Sequence, residues 1–360
     1  MIFLRLWAAT ARAEYKDDKE RKMKKLNLEK IREITTGAAR VEEKDGAICF
    51  YRYTKEQDER YKIRNPELHR RSLCTAGVKL CFETDSENLF LKIKTEKVLS
   101  RSFFSVDVFV NGKLLGYVDN LDGLIVDEKY IALNAPQGEF SKSFDLGKGK
   151  KKVSVYLPWS VICCLLEMSL DDGAVINAVK SDKRLIAFGD SITQGFDALR
   201  PTDRYISKLA DALCADEYNK AIGGDIFFPD LAALRDDFDP EYVVVAYGTN
   251  DWSTLCEAEF RENCRSFYEN LARIYPESKI FALTPIWRAD HKEQKAFGSF
   301  ESVAADIKDA VKLLPNVKVI EGFDLVPHNT DFYSDKYLHP NSRGYELYFE
   351  NLYAEINLNA

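Results

Sequence analysis

The sequence contains no apolar segment long enough to cross a membrane and no extended basic tract. The apolar run at residues 161–166 is far shorter than the roughly 20 residues that a membrane-spanning helix needs. The 360 residues carry 51 basic and 58 acidic side chains, which gives a net charge of -7. The short apolar run excludes a membrane span. Because a nucleic-acid surface needs clustered positive charge, we also expect no nucleic-acid partner.

Cofactor and metal motifs are missing as well. There is no G-x-G-x-x-G or Walker A pattern for a nucleotide and no H-E-x-x-H pair for zinc. Three of the four histidines, His69, His291 and His328, stand outside any recognisable motif. We therefore predict no cofactor and no metal ion. The absence of a G-x-S-x-G nucleophile elbow also argues against the α/β-hydrolase fold.

The cysteines do not suggest a disulfide framework. The sequence has eight of them without a C-x-x-C pair, and most stand in apolar segments of a chain that is long enough to form a core without cross-links. We therefore expect buried free thiols in a reducing cytoplasm.

The N-terminus resembles a secretion signal only superficially. Ala11-Arg12-Ala13 looks like a cleavage site, but Arg5 interrupts the apolar stretch and no basic region precedes it. Translation from Met23 is an alternative. Residues 1–40 are expected to form an extension, the first 22 of them outside the fold, and the protein is expected to be cytoplasmic.

Two domains are expected from the length, at roughly 150 residues per domain. The first, residues 41–175, has short β-branched and aromatic runs separated by turn residues, which predict an all-β sandwich, jelly-roll-like in character. Asn111-Gly112 favours a two-residue hairpin turn. The predicted strands are residues 48–53, 78–83, 89–94, 104–110, 152–157 and 162–168.

The second domain, residues 183–358, alternates buried strands with amphipathic helices. That alternation predicts an α/β/α arrangement with a mainly parallel sheet covered on both faces. The predicted strands are residues 185–188, 218–222, 242–247, 279–284 and 317–320, and the predicted helices are residues 203–214, 255–275, 300–314 and 342–356.

Polar residues capable of acyl transfer follow the strands of this second domain, where parallel sheets place their functional loops. Ser191 stands at a strand-to-helix turn, Gly224 allows close approach to a backbone N–H, and Asn250 offers an amide donor. His339, in a fourth loop, is a suitable general base for a serine. Together these groups fit a nucleophile, a base and an oxyanion hole.

The four loops carry a family resemblance. G-D-S at residues 189–191, the glycines of I-G-G-D at 222–225, G-T-N-D at 248–251 and the histidine of H-P-N at 339–341 stand in the order of the four signature blocks of SGNH hydrolases, the GDSL esterase/lipase superfamily. An N-terminal β-sandwich before such a domain resembles the carbohydrate-esterase-type members.

The resemblance implies a role for each residue. Ser191 would be the nucleophile and His339 the base, while the Ser191 N–H, the Gly224 N–H and the Asn250 side chain would bind the oxyanion. Gly223 is the alternative to Gly224.

The acid departs from the family pattern. The position three residues before His339 is Lys336, and Asp335 stands four before it. We assign Asp335 as the acid, because a loop can absorb one residue. A Ser-His dyad oriented by a backbone carbonyl and a distant acid such as Asp331 remain alternatives.

The predicted function is a serine esterase that removes a small acyl group, most simply acetyl, from a carbohydrate or similar polar alcohol. Trp252, Trp287 and Arg288 follow strand ends and are candidates for contacts with a small-molecule or oligosaccharide ester. One alternative is a lipase, thioesterase or arylesterase acting on longer chains. Another is a catalytically impaired carbohydrate-binding protein, which the shifted acid favours. The oligomeric state is not predicted.

Overall fold

The computed structural model describes residues 22–357. The signal-like segment and the first part of the predicted extension, residues 1–21, lie outside the described residues. Between residues 22 and 357, no helix combines the length and the apolar character needed to cross a bilayer.

Short strands make up most of the N-terminal domain. They are β1 (Met23–Lys25), β2 (Thr35–Thr36), β3 (Arg40–Lys44), β4 (Ala47–Tyr51), β5 (Lys79–Thr84), β6 (Asn88–Lys97), β7 (Ser105–Val110), β8 (Lys113–Asp119), β9 (Ile125–Val126), β10 (Leu133–Asn134), β11 (Gly138–Asp145), β12 (Lys151–Tyr156), β13 (Val161–Asp171) and β14 (Ile176–Ala178).

The strands form two antiparallel sheets that face each other. One has the order β11-β6-β13-β4-β3 with β1 beside β13, and the other has the order β14-β5-β12-β7-β8 with β2 beside β5, while β9 and β10 pair separately. Alternate residues point into the core between them, such as Leu91 and Ile93 from β6 against Leu80 and Phe82 from β5. The predicted sandwich is confirmed. The N-terminal strand β1 already belongs to it, ahead of the predicted start at residue 41.

Two helices in the middle of this domain were not predicted. The domain contains α1 (Leu28–Ile34), α2 (Lys55–Arg64) and α3 (Pro66–Ser72). Apolar periodicity is absent from the polar segment K-E-Q-D-E-R-Y-K-I-R of α2, which explains the omission. Capping signals do mark both starts, with a Thr54–Gln57 capping box before α2 and Asn65 before Pro66 at the start of α3.

The expectation that all cysteines are free thiols is wrong for one pair. Cys49 on β4 and Cys164 on β13 form a disulfide, with their Cα atoms 4.5 Å apart on neighbouring antiparallel strands. Strand register, which cysteine spacing does not reveal, brings them together. The other six cysteines are free, but the expected burial is wrong for Cys214 and Cys256, which are exposed. Because disulfides are typical of oxidising compartments, the cysteines no longer support a cytoplasmic location.

The C-terminal domain contains a parallel sheet of the order β16-β15-β17-β18-β19. Its strands are β15 (Lys183–Gly189), β16 (Ala215–Asn219), β17 (Tyr242–Ala246), β18 (Lys279–Leu283) and β19 (Val317–Ile320). Its helices are α4 (Ser191–Gln194), α5 (Tyr205–Ala212), α6 (Pro229–Ala232), α7 (Asp251–Thr254), α8 (Glu257–Ile274), α9 (Phe300–Val311) and α10 (Ser342–Asn357). Short 3-10 turns lie at Leu121–Gly123 in the N-terminal domain and at Pro201–Asp203 and Thr330–Phe332 in the C-terminal domain.

Side-chain alternation along the central strands explains the two helical layers. Ile186 and Phe188 of β15 pack in the core that contains α8 and α9, whereas Leu185 and Ala187 pack in the core that contains α5 and α10. The predicted α/β/α domain with its parallel sheet is therefore confirmed.

The helix pair α2–α3 joins the two domains. Tyr61 of α2 is fully buried and belongs to the same core as Phe228 and Leu231 of the C-terminal domain. Arg52, 1% exposed, donates hydrogen bonds to the backbone oxygens of Cys74 in its own domain and of Asn219 and Ala221 in the other. The N-terminal domain therefore reaches the loops at the carboxyl ends of the parallel strands.

Candidate active site

Ser191 lies where β15 turns into the short helix α4. Asp190 caps this helix, because its Oδ1 accepts a hydrogen bond from the Ile192 N–H at 2.9 Å. A Cβ at Gly189 would lie only 2.5 Å from the Thr193 hydroxyl oxygen, so the tight turn requires glycine there. The backbone N–H of Ser191 has no acceptor within residues 22–357, as expected at the first position of a helix.

The side chains of Ser191, His339 and Asp335 form one hydrogen-bonded chain. Ser191 Oγ lies 2.9 Å from His339 Nε2, and His339 Nδ1 lies 2.7 Å from Asp335 Oδ2. This is the geometry in which an imidazole takes a proton from a serine while a carboxylate fixes its tautomer.

Asp335 is held as a carboxylate by its surroundings. Its Oδ1 accepts hydrogen bonds from the backbone N–H groups of Tyr337, Leu338 and His339 at 2.9, 2.7 and 3.1 Å. Burial acts to raise the pKa of Asp335, but the hydrogen bonds and the charge of His339 outweigh it and bring the pKa down to about 2. The carboxylate is therefore ionised at any pH at which the protein would work.

The extra residue between Asp335 and His339 is accommodated because one residue of the loop adopts the left-handed backbone conformation. Lys336 has a φ of 57°, which lets the chain turn between Asp335 and His339. The alternative acid, Asp331, points away from the site, because it is 78% exposed and pairs with Lys336 Nζ at 2.9 Å. The imidazole Nδ1 is occupied by Asp335 rather than by a backbone carbonyl.

The glycine block forms a tight turn from Ile222 to Asp225. The Asp225 N–H donates to the Ile222 oxygen at 3.0 Å, and Gly224 has a φ of +87°, which favours glycine. The Gly223 N–H donates to Gln194 Oε1 at 2.6 Å. The Gly224 N–H has no acceptor within the described chain and is available to a ligand.

Asn250 stands beside this turn. Its Nδ2 donates to the Asp225 backbone oxygen at 2.9 Å, which leaves one amide hydrogen for a ligand. The next residue, Asp251, braces the loop, because its carboxylate accepts hydrogen bonds from the N–H groups of Phe227 and Gly248 at 3.1 and 3.0 Å. Burial raises the pKa of Asp251 to about 7.

The three side chains predicted to contact substrate are all buried and make contacts within the protein. Trp252 is fully buried and donates from its indole N–H to the Gly298 oxygen at 3.0 Å, so neither face can stack on a sugar. Arg288, 4% exposed, is held by Asp290 and donates to the Thr249 oxygen at 3.0 Å, next to Asn250.

Trp287 is 8% exposed. Its ring stacks on that of His328 with the ring centroids 5.9 Å apart, and the centroid of the His291 ring lies 5.8 Å away. Aromatic and basic residues at strand ends serve core packing as readily as ligand binding, and sequence position does not separate the two uses.

One cluster has the composition of a metal site. Ligand atoms of Asp197, Asp335 and His339 lie within 4.8 Å of one another. The protein's own donors already satisfy the cluster, because Arg101 of the N-terminal domain pairs with Asp197 at 2.8 Å and His339 pairs with Asp335. The donor set fits an ion pair and a catalytic hydrogen bond better than an ion.

Several residues near the site were missed by the sequence analysis, and they come from the unpredicted helices. Tyr61 and Arg64 of α2 hold the buried Asp225 carboxylate at 2.7 and 2.8 Å. Arg71 of α3 donates to the Gly223 oxygen at 2.8 Å. These residues lie more than 150 positions before the loop that they contact, so no local spacing could have indicated them.

Comparison with known proteins agrees with this arrangement. Residues 187–347 match the family model of the GDSL-like lipase/acylhydrolase family. The C-terminal domain is thus a member of the SGNH hydrolase superfamily, and the chain is a carboxylic ester hydrolase by class. No curated protein matches the chain by sequence.

Solved structures resemble the chain over both domains. The salicylyl-acyltransferase SsfX3 from a tetracycline biosynthetic pathway shares 22% identity with a TM-score of 0.77, over 90% of this chain and 94% of that one. A putative GDSL-like lipase from Bacteroides ovatus shares 16% identity with a TM-score of 0.72, over 94% and 98%. A family two carbohydrate esterase from Cellvibrio japonicus shares 15% identity with a TM-score of 0.62, over 94% and 98%. These likenesses establish a common two-domain fold.

Proposed function

We propose that the protein is a serine esterase that removes small acyl groups, acetyl foremost, from a carbohydrate or similar polar alcohol. The hydrogen-bonded chain of Ser191, His339 and Asp335 carries this proposal. The carbohydrate preference is supported by the two-domain likeness to the family two carbohydrate esterase.

The reaction follows from the groups present. Ser191 Oγ attacks the ester carbonyl while His339 Nε2 takes its proton, and Asp335 stabilises the imidazolium that forms. The negative oxygen of the tetrahedral intermediate is bound by the N–H groups of Ser191 and Gly224 and by the Asn250 amide, each worth about 3 kcal/mol. Gly224 is favoured over Gly223 as donor, because the Gly223 N–H is already bonded to a side chain.

Collapse of the tetrahedral intermediate completes acylation: the ester C–O bond breaks, and His339 gives its proton to the departing alcohol, which leaves an acyl group on Ser191. Water then attacks the acyl carbonyl while His339 takes a proton from it. The bond from Ser191 Oγ to the acyl carbon breaks, His339 returns the proton to Oγ, and the free acid leaves. Every proton is handled by one imidazole, so this scheme needs no cofactor.

The test is hydrolysis of p-nitrophenyl acetate and of acetylated oligosaccharides by the purified protein. We expect acetate release from both and its loss in Ser191→Ala. Faster turnover of octanoyl than of acetyl esters would favour the lipase alternative. Turnover retained by Ser191→Ala would refute the proposed nucleophile. The impaired-protein alternative has lost its main support, because the acid lies at bonding distance despite its shift in sequence.

Acyl transfer to an alcohol is a second candidate, favoured by the likeness to the salicylyl-acyltransferase over 90% of the chain. The same acyl-enzyme would then be attacked by an alcohol instead of water. Adding a polyol to the acetyl-ester assay distinguishes the two, because a transferase forms the new ester in preference to acetate.

A further inference from the structure

The N-terminal domain places a cation on the peptide that joins Gly223 to Gly224. Arg71, half-buried on α3, donates from Nη1 to the Gly223 oxygen at 2.8 Å. Within residues 22–357 no carboxylate pairs with Arg71, so its charge is directed at this peptide rather than at an acid. The guanidinium also lies 2.8 Å from the position that a Cβ on Gly224 would occupy.

The turn at Ile222–Asp225 has two conformations open to it. Type I and type II turns differ mainly in the orientation of the central peptide, which is rotated by about 180° between them. The φ of +87° at Gly224 is that of a type II turn. Two consecutive glycines remove the steric preference that would otherwise hold one orientation. An external contact is therefore needed to fix the peptide.

The orientation of this peptide decides whether the Gly224 N–H can serve the reaction. In a trans peptide the C=O of Gly223 and the N–H of Gly224 point in opposite directions. A hydrogen bond that holds the Gly223 oxygen therefore also fixes the direction of the Gly224 N–H, away from Arg71.

We propose that Arg71 is a positioning residue, which holds the Gly223–Gly224 peptide in the orientation that presents the Gly224 N–H to the oxyanion. This inference rests on the proposed esterase function. The positive charge of the Arg71 guanidinium also polarises this peptide, which strengthens the Gly224 N–H as a hydrogen-bond donor.

A second contact, from Gln194 on α4 of the C-terminal domain, fixes the preceding peptide and is itself held by the N-terminal domain. Gln194 accepts the Gly223 N–H through Oε1, and its Nε2 donates to the Trp159 oxygen and to Cys74 Sγ, both at 3.0 Å. The β-sandwich domain thus holds the glycine turn directly through Arg71, and indirectly through Trp159 and Cys74, which bind Gln194. In this proposal, a domain that carries none of the four signature blocks contributes to catalysis by positioning the glycine turn.

Arg71→Met tests the inference, with Arg70→Met as the matched control on the same helix. Arg70 is exposed and contacts the Lys97 oxygen, outside the site. We expect Arg71→Met to lower kcat for p-nitrophenyl acetate by about 10- to 100-fold with KM changed less than about threefold, because the loss falls on the transition state. Arg71→Lys should restore part of kcat.

A thionoester substrate separates positioning from a general structural effect. Sulfur is a weak hydrogen-bond acceptor, so turnover of a C=S ester depends little on the oxyanion donors. We expect Arg71→Met to lower the ratio of oxoester to thionoester turnover, whereas a structural defect would lower both rates equally. If Arg71→Met does not fold, Arg71→Ala supplies the same comparison, because it also removes the donor to the Gly223 oxygen.

The outcomes distinguish this inference from the proposed function. An inactive wild-type protein overturns the esterase proposal itself. An active wild type in which Arg71→Met behaves like Arg70→Met, or an unchanged oxoester to thionoester ratio, overturns the role of Arg71 alone. A loss confined to KM for anionic esters also overturns it, because it would make Arg71 a substrate-binding residue.

Discussion

Asp335→Asn should impair the enzyme through the tautomer of His339. Three backbone N–H groups point at Asp335 Oδ1, so the carbonyl oxygen of an asparagine would take that position. Its NH₂ group would then face His339 Nδ1 and donate to it. The imidazole would carry its proton on Nε2, which could no longer accept the proton of Ser191.

The loss of kcat in Asp335→Asn has two causes, the loss of the carboxylate charge and the change of tautomer at His339. Burial acts to raise the pKa of Asp335, but the interactions with His339 and the backbone N–H groups bring it from 3.8 to about 2. At 1.36 kcal/mol per pH unit, the site therefore favours the carboxylate by about 2 kcal/mol. The unfavourable tautomer adds to the lost charge, and the comparable change in serine proteases lowers kcat by about 10⁴-fold. We expect a loss of about 10³- to 10⁴-fold.

The assay is kcat for p-nitrophenyl acetate, with Asp331→Asn as the matched control. Asp331 stands in the same loop but is exposed and contacts Lys336 instead of the imidazole, so its variant should keep wild-type kcat. Ser191→Ala should remain the more severe change. A loss of less than tenfold in Asp335→Asn would refute the role of Asp335 as the acid and return the site to a Ser-His dyad.

Three further predictions concern stability. Burial raises the pKa of Asp190 to about 6 from 3.8, so ionisation lowers wild-type stability as pH rises from about 4 to 6. Asp190→Asn keeps an oxygen for the Ile192 N–H but has no carboxyl group to ionise. Its free energy of unfolding relative to wild type, measured in urea titrations, should therefore rise over that pH interval. A pH-independent difference would contradict this. Arg52→Met removes the donor from three buried carbonyls and should cost about 3 kcal/mol in the same assay, whereas a change below about 1 kcal/mol would show the contacts to be dispensable. The Cys49–Cys164 bond spans 115 residues, so replacing both cysteines with alanine should lower the free energy of unfolding by about 2–4 kcal/mol and leave kcat unchanged. Alkylation of the unfolded, unreduced protein should modify six cysteines instead of eight.

Local sequence patterns predicted the parts of the structure that depend on local physics. Strand β17 reads as a continuous apolar run because both its faces are buried, and α8 shows the periodicity of a helix with one buried face. The sequence pairs Ser191 with His339 because loops at the carboxyl ends of parallel strands share one edge of the sheet and because both residues stand in signature blocks of the family that the chain resembles. Their separation of 148 residues did not matter to that inference.

Features that depend on packing between distant segments could not be predicted in the same way. Helix α2 buries few apolar side chains, so periodicity does not reveal it, although its capping box does. The contact of Arg71 with the glycine turn exists only once the two domains are packed together. The disulfide requires the pairing of β4 with β13, and the burial of Trp252 requires the helices around it.

Trapping the acyl-enzyme tests the central claim most directly. The protein is mixed with an acetyl ester, quenched in acid within the first turnover, and digested for peptide mass mapping. The account predicts one acetyl group on Ser191, absent from Ser191→Ala and strongly reduced in His339→Ala. An acetyl group on another residue, or ester hydrolysis with no covalent intermediate in a protein whose Ser191→Ala variant stays active, would contradict it.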